Sequence, residues 1–182
     1  MGSEATAPFT VRVAQPDDAE AVGAVLRASY PTLMASGYPA DLLAHAIPFM
    51  TRPNAALLRS GTYYVAEVSG GFAAGCGGWT FERPGASDRP IDPRLAHIRH
   101  FATHPDWVRH GIGHALFRRC VADARAAGVQ CLECCSSLVA EPFYAALGFV
   151  AVEPMAMDVG GIAFPGMRMI RHIAALGRAE RS

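Results

Sequence analysis

The sequence predicts an α/β (α+β) fold around one mixed sheet. Short alternating apolar runs, which read as strands, interleave with longer runs at helical spacing. Their order, β-α-α-β-β-β-α-β-α-β-β, mixes adjacent strands with helix-linked ones. The 182 residues, 51% hydrophobic and 18% charged, suit a single domain over 1–182 that can bury a core.

The elements follow in order. "FTVRVA" alternates and predicts a strand. "QPDDAEAVGAVLRASY" opens with Pro and Asp, then places apolar residues at helical spacing, so it predicts a helix with acidic residues where the dipole favours them. "PTLMASGYPADLLAHAIPFMTRPNAALLRS" is interrupted by Pro and Gly and predicts short helical pieces. "TYYVAEV" and "GFAAGCGGWT" predict a hairpin turning at "SGG". After the loop "ERPGASDRPIDPR" comes the strand "LAHIRHFAT". A helix follows in "GIGHALFRRCVADARAAG", with apolar rows Ile112–Leu116–Cys120 and Phe117–Val121–Ala124 and a stop at Gly128. "VQCLECC" predicts a buried strand, "AEPFYAALGF" a short helix, and "VAVEPMAMDV" and "GMRMIRHI" two last strands. The ends, about 1–8 and 177–182, read as flexible.

Composition narrows the function classes. Formal net charge is zero, so no global basic field points to nucleic acid. All sixteen basic residues are Arg, which nothing in the fold requires. No apolar run approaches the ~20 residues of a membrane helix, so no membrane partner is expected. Five cysteines, an odd number, with no signal peptide before them, suggest a reduced, cytoplasmic setting. Cys131 and Cys134 form a lone CxxC inside the predicted buried strand. They read as small hydrophobes, and no metal is expected.

"HPDWVRHGIGHAL" holds the main chemical signal. A strand that ends in a glycine turn and opens a helix presents unpaired N–H groups to an anion. Gly111 and Gly113 let a phosphate approach the backbone. A P-loop needs a Lys that the chain lacks, and a dinucleotide fingerprint needs a third Gly that is absent after "GIG". A tight turn without a ligand is the remaining alternative.

The wider stretch "HIRHFATHPDWVRHGIGHALF" resembles the coenzyme A loop of the GNAT superfamily, the N-acetyltransferases related to histone acetyltransferases. Downstream, "SSLVAEPFYAALGF" resembles that family's second signature, with one helix and one strand between the two. The resemblance is strong from about Leu95 to Val150. It implies a GNAT-like, mostly antiparallel central sheet flanked by helices. It also implies acetyl-CoA as co-substrate and an amine as acceptor. By position, Val108, Arg109, His110, Gly111, Ile112, Gly113 and His114 would cradle the pyrophosphate, and Phe101, Ala102 and Thr103 would pair with the pantetheine arm. Two positions depart from the family pattern. Val108 stands where Arg or Gln is common, and Val139 where relatives often carry Asn; both remove polar contacts to the coenzyme.

The resemblance also gives roles. Tyr144 matches the family's tyrosine near the coenzyme sulfur and would donate a proton to the leaving thiolate. Backbone N–H groups near Ala102 would stabilise the oxyanion. His97, where relatives often carry an acid, is the first candidate base, Glu133 the second and His100 the third. Regular alternation would put His97, Arg99, Phe101 and Thr103 on one face, although a bulge would break that pattern. Tyr30, Tyr38 and Phe49 are possible acceptor walls. No cysteine sits at an evident nucleophile position, which favours direct transfer. The acceptor would be a small-molecule or protein amine, and the apolar late strands suggest a homodimer. The rivals are a non-catalytic acyl-CoA-binding module and a scaffold whose glycine loop is idle.

Overall fold

A computed structural model describes residues 8–85 and 89–173; the flexible ends expected from the sequence fall, apart from Pro8, outside the described residues. Strand β1 (Phe9–Val13) leads through a 3-10 turn into helix α1 (Ala19–Met34), followed by α2 (Ala40–Met50) and α3 (Ala55–Arg59). Strands β2 (Tyr63–Val68), β3 (Phe72–Thr80) and β4 (Leu95–Thr103) precede helix α4 (Ile112–Ala126). Then come β5 (Cys131–Ser137), α5 (Glu141–Ala146), β6 (Val150–Val159) and β7 (Ile162–His172). The strands form one seven-stranded sheet in the order β1-β2-β3-β4-β5-β7-β6. Every neighbouring pair is antiparallel except β4–β5, which is parallel.

Each face of the sheet carries its own core. On one face α4 lays Ile112, Leu116, Phe117 and Cys120 against Tyr64, Ile98 and Leu132. On the other, α1 and α2 bury Val22, Val25, Leu26 and Leu43 with Val65, Cys76 and Phe164. The i, i+4 rows read from the sequence of α4 are the buried ones. Helix α1 differs from expectation, because it runs through Pro31 to Met34. Tyr30 and Met34 are buried there, and that burial outweighs the one hydrogen bond Pro31 cannot make. Strand β7 also starts earlier than "GMRMIRHI", because the β6–β7 hairpin stays paired out to Val159 and Ile162.

The feature that positions the site lies at the middle of the sheet. Strands β4 and β5 are paired only at Leu95–Cys131, Ala96–Leu132 and His97–Glu133. Beyond that rung they separate, and β5 continues beside β7 alone. On its other edge β4 carries a bulge: the register with β3 passes from Arg99 opposite Gly78 to Ala102 opposite Cys76. His100 and Phe101 thus share the place of one residue. His100 takes a φ of 44°. Phe101 moves to the core that holds Ile98, and Ala102 to the core under α1. This corrects the regular alternation: Phe101 does not share a face with His97 and Arg99. Gly77 permits the shift, since a Cβ there would meet the Phe101 ring at 2.5 Å.

Candidate active site

The parting of β4 and β5 opens a cleft of about 890 Å³ bounded by α1, the end of β4, the α4 N-terminus and α5. Its floor at one end is backbone. Gly111 caps α4 with a φ of 83°, a conformation that costs a side chain but not glycine. The first helical bond runs from Ala115 N–H to Gly111 O. The N–H groups of Ile112, Gly113 and His114 therefore lie ahead of the helix's own hydrogen-bond ladder, at its positive end. Gly113 has a different reason to be glycine than close approach of a phosphate. A Cβ there would lie 3.0 Å from the Phe143 ring, so its smallness seats α5 against α4.

Val108, Arg109, Gly111, Ile112, Gly113 and His114 all line this cleft, as do Phe101, Ala102 and Thr103. His110 is exposed and does not; its Nδ1 turns back to Val108 O at 3.0 Å. Arg109 holds a positive φ of 67°. Val139 packs against the turn after α1, where a Cβ on Gly37 would meet it. Its apolar side chain thus serves the packing of α1 against the cleft rim. His104 N–H donates to Ala74 O on β3. Strand alternation then aims the N–H groups of Phe101 and Thr103, rather than that of Ala102, at the side β5 has vacated.

Tyr144 stands across the cleft on α5. Its ring is buried edge-on to Phe101, Phe143 and Phe149 at centroid distances of 6.4, 5.2 and 5.4 Å. Burial holds its hydroxyl well above the usual phenol range, so it keeps its proton at neutral pH. Tyr30 also lines the cleft and donates to Phe101 O at 3.4 Å. Two other aromatic residues do not line it. Tyr38 stacks on Phe164, donates to Pro165 O and accepts from Leu138 N. Phe49 lies on the surface beside Gly160.

The first two candidate bases occupy the last paired rung, just below the cleft rather than in its wall. His97 is 5% exposed and Glu133 2%. His97 Nδ1 lies 3.3 Å from Glu133 Oε1, close enough for an ionic contact but not aligned as a hydrogen bond. Glu133 Oε2 accepts from Arg168 Nε at 2.7 Å. Contact with His97 and then Arg168 lowers the Glu133 carboxyl to about 2. A carboxylate held there is a poor proton acceptor at neutral pH. His100 is lowered to about 4, by burial and then by Arg99. It too is a weak base. The motif reading missed Arg168, because it reaches Glu133 from β7, far along the chain.

The cysteines are all free. Cys131 and Cys134 point to opposite faces of β5, being an odd number of residues apart, so the CxxC does not converge.

Comparison with known proteins agrees with this geometry. Residues 83–171 match the family "Acetyltransferase (GNAT) domain". That stretch, just under half of the chain, is similar to a GNAT acetyltransferase domain. Its fold is similar to a GCN5-related N-acetyltransferase from Rhodopseudomonas palustris, with a TM-score of 0.73 and 22% identity over 94% of this chain and 100% of that one. It is also similar to the PaiA N-acetyltransferase of Thermoplasma acidophilum, solved with coenzyme A, with a TM-score of 0.67 and 16% identity over 91% and 99%. A third similar structure is Ard1 from Thermoplasma volcanium, with a TM-score of 0.64 and 18% identity over 92% and 99%. No curated protein matches the sequence. Among the described residues, no helix is long and apolar enough to cross a membrane.

Proposed function

We propose that this chain is an N-acetyltransferase that moves an acetyl group from acetyl-CoA directly to an amine, with the whole chain acting as one domain in the cytoplasm. One observation carries the reading: the parted β4–β5 edge has the free α4 N-terminus at one end and a buried, protonated tyrosine facing it. The N–H groups of Ile112, Gly113 and His114 hold the pyrophosphate. The unpaired edge at Phe101 and Thr103 pairs with the pantetheine amides and donates to the oxyanion as it forms.

The chain's residues then divide the proton transfers. The neutral amine attacks the thioester carbonyl, forming the C–N bond. As the C–S bond breaks, Tyr144 gives its proton to the departing sulfur. His97 takes the amine proton through water, because it lies just under the cleft rim. Glu133 acts as a positioning residue that stabilises the resulting imidazolium. No cysteine lines the cleft, which supports direct transfer over a thioester enzyme intermediate. The exposed edge of β6, with Val150 and Val152 uncovered, is where a second copy would pair.

The rival, a non-catalytic acyl-CoA-binding module, draws on Val108 in place of a side-chain contact to phosphate. Tyr144→Phe separates the two readings. Acetyl-CoA affinity, read by calorimetry, should stay within about twofold, while turnover should fall about 100-fold. Unchanged turnover removes Tyr144 from the chemistry. Binding of acetyl-CoA without turnover of any amine leaves the binding module.

A further inference from the structure

A second groove, of about 570 Å³, lies outside the cleft, between α4 and the C-terminal end of α5. Helix α4 gives it His114, Arg118 and Arg125. Spacings of four and then seven residues keep these three on one face of the helix. Arg171 enters from β7, its guanidinium 5.1 Å from the centroid of the Phe117 ring. The groove thus gathers three guanidiniums, and no acidic side chain lines it. The one acid on α4, Asp123, is already taken by Arg119 at 2.8 Å and by the Tyr64 hydroxyl at 2.7 Å. Among the described residues, Arg118, Arg125 and Arg171 have no carboxylate within ion-pair distance. Arg125 Nε is buried and makes no hydrogen bond. Burial, and then the charge of Arg125, hold the Arg171 guanidinium below its ordinary range.

A guanidinium keeps its charge, so three of them around one groove are completed by an anion. The place of the groove says which anion. It is continuous with the cleft, since Gly111 and His114 line both. His114 also carries one of the N–H groups ahead of the α4 ladder. Arg118 stands one helical turn beyond it, roughly 6 Å along the axis. An anion in the groove therefore lies one short spacer from a pyrophosphate at the start of α4. In coenzyme A the group so placed is the 3′-phosphate, which a single ribose separates from the pyrophosphate. A phosphate monoester is close to doubly charged at neutral pH and accepts from several guanidinium forks at once.

We propose that Arg118, Arg125 and Arg171 bind the 3′-phosphate of the coenzyme, so that the chain selects the 3′-phosphorylated form over the dephospho form. Val108 offers the pyrophosphate no polar side chain; the groove supplies side-chain charge further along the same helix. The proposal rests on the coenzyme reading and adds the residues that discriminate at the nucleotide end.

The test is calorimetric titration of the full chain with acetyl-CoA and with acetyl-3′-dephospho-CoA, which differ in that phosphate alone. Acetyl-CoA should bind about tenfold to hundredfold more tightly. The ratio should shrink to about twofold in Arg118→Gln and in Arg171→Gln. Arg118 is exposed, so its replacement leaves the core intact. Each variant is judged by the ratio, so a general weakening of binding does not imitate the result. Equal affinities in the parent chain, or a ratio that survives both substitutions, overturns the proposal and leaves the coenzyme reading standing. If neither coenzyme binds, that reading falls, and adenosine 3′,5′-bisphosphate against AMP decides the groove. A preference for the bisphosphate that is lost in Arg118→Gln upholds the phosphate site, and no preference overturns it. Inorganic phosphate is the last arm: binding as tight as that of the bisphosphate would make the groove a site for free phosphate and overturn the proposal.

Discussion

The two sides of the cleft are made of different material. The side proposed for the coenzyme is backbone: a glycine-capped helix start and the vacated edge of β4. The side proposed for the acceptor is side chain: His97, Glu133, Arg168 and Arg83, drawn from three strands and a loop. Backbone groups are common to every sequence and depend on local conformation. A buried ion cluster depends on each member being present. The first side should tolerate most substitutions and the second almost none.

The largest effect is expected at Glu133. Glu133→Gln removes the charge that Arg168 and His97 share and leaves a guanidinium poorly matched beside a buried imidazole. Breaking one member of a buried pair costs about 3–5 kcal/mol, so urea unfolding should show a loss of that order. A loss below about 1 kcal/mol would place the cluster among surface ion pairs and dissolve the contrast.

The same contrast explains what was legible in the sequence. "HGIGHAL" and "FYAALGF" are local. A strand end, a glycine and a helix start lie within one stretch of chain, so α4, its cap and Tyr144 could be placed from sequence. Strand β4 was also legible, because its bounds are set by its own pattern. The bulge at His100 and Phe101 was not, because it is a matter of register against β3 and depends on Gly77 across the strand gap. Arg168 was invisible for the same reason. Only the β5–β7 pairing brings it to Glu133, and nothing near Glu133 in the chain announces it. Pro31 misled in the other direction, since a local breaker yielded to the burial of residues beyond it.

A smaller effect is expected from acid, and it sharpens the comparison within β4. His100 is lowered from 6.5 to about 4, by burial first. A depressed histidine contributes stability that is whole above pH 6.5 and is lost as pH falls toward 4, because the unfolded chain takes the proton first. Glu133, lowered from 4.5 to about 2, adds a second loss between those values. Unfolding measured from pH 7 to 3 should therefore decline in two stages, the upper on the order of 2 kcal/mol after allowance for partial exposure. His100→Asn should remove the upper stage alone, since Asn accepts the left-handed φ of 44°. A decline that starts only below pH 4.5 would take His100 out of the account.

The smallest effect tests the backbone side directly. Gly111 has a φ of 83°, yet nothing lies within 4 Å of where a Cβ would stand. Gly111→Ala thus meets conformational strain and no collision, and should lose about 1 kcal/mol of stability. The three N–H groups behind it remain, so acetyl-CoA affinity should fall by no more than about fivefold, the equivalent of that strain. Gly113→Ala offers the opposite case at the same loop. Its φ is ordinary, but its Cβ would press the Phe143 ring at 3.0 Å, and it disturbs α5 and hence Tyr144. Calorimetry and turnover on the two variants should therefore divide: Gly111→Ala weakens binding with kcat nearly intact, and Gly113→Ala lowers kcat with binding nearly intact. If both lose affinity by 100-fold, the grip on phosphate needs close approach at each glycine, and the coenzyme side is as exacting as the acceptor side.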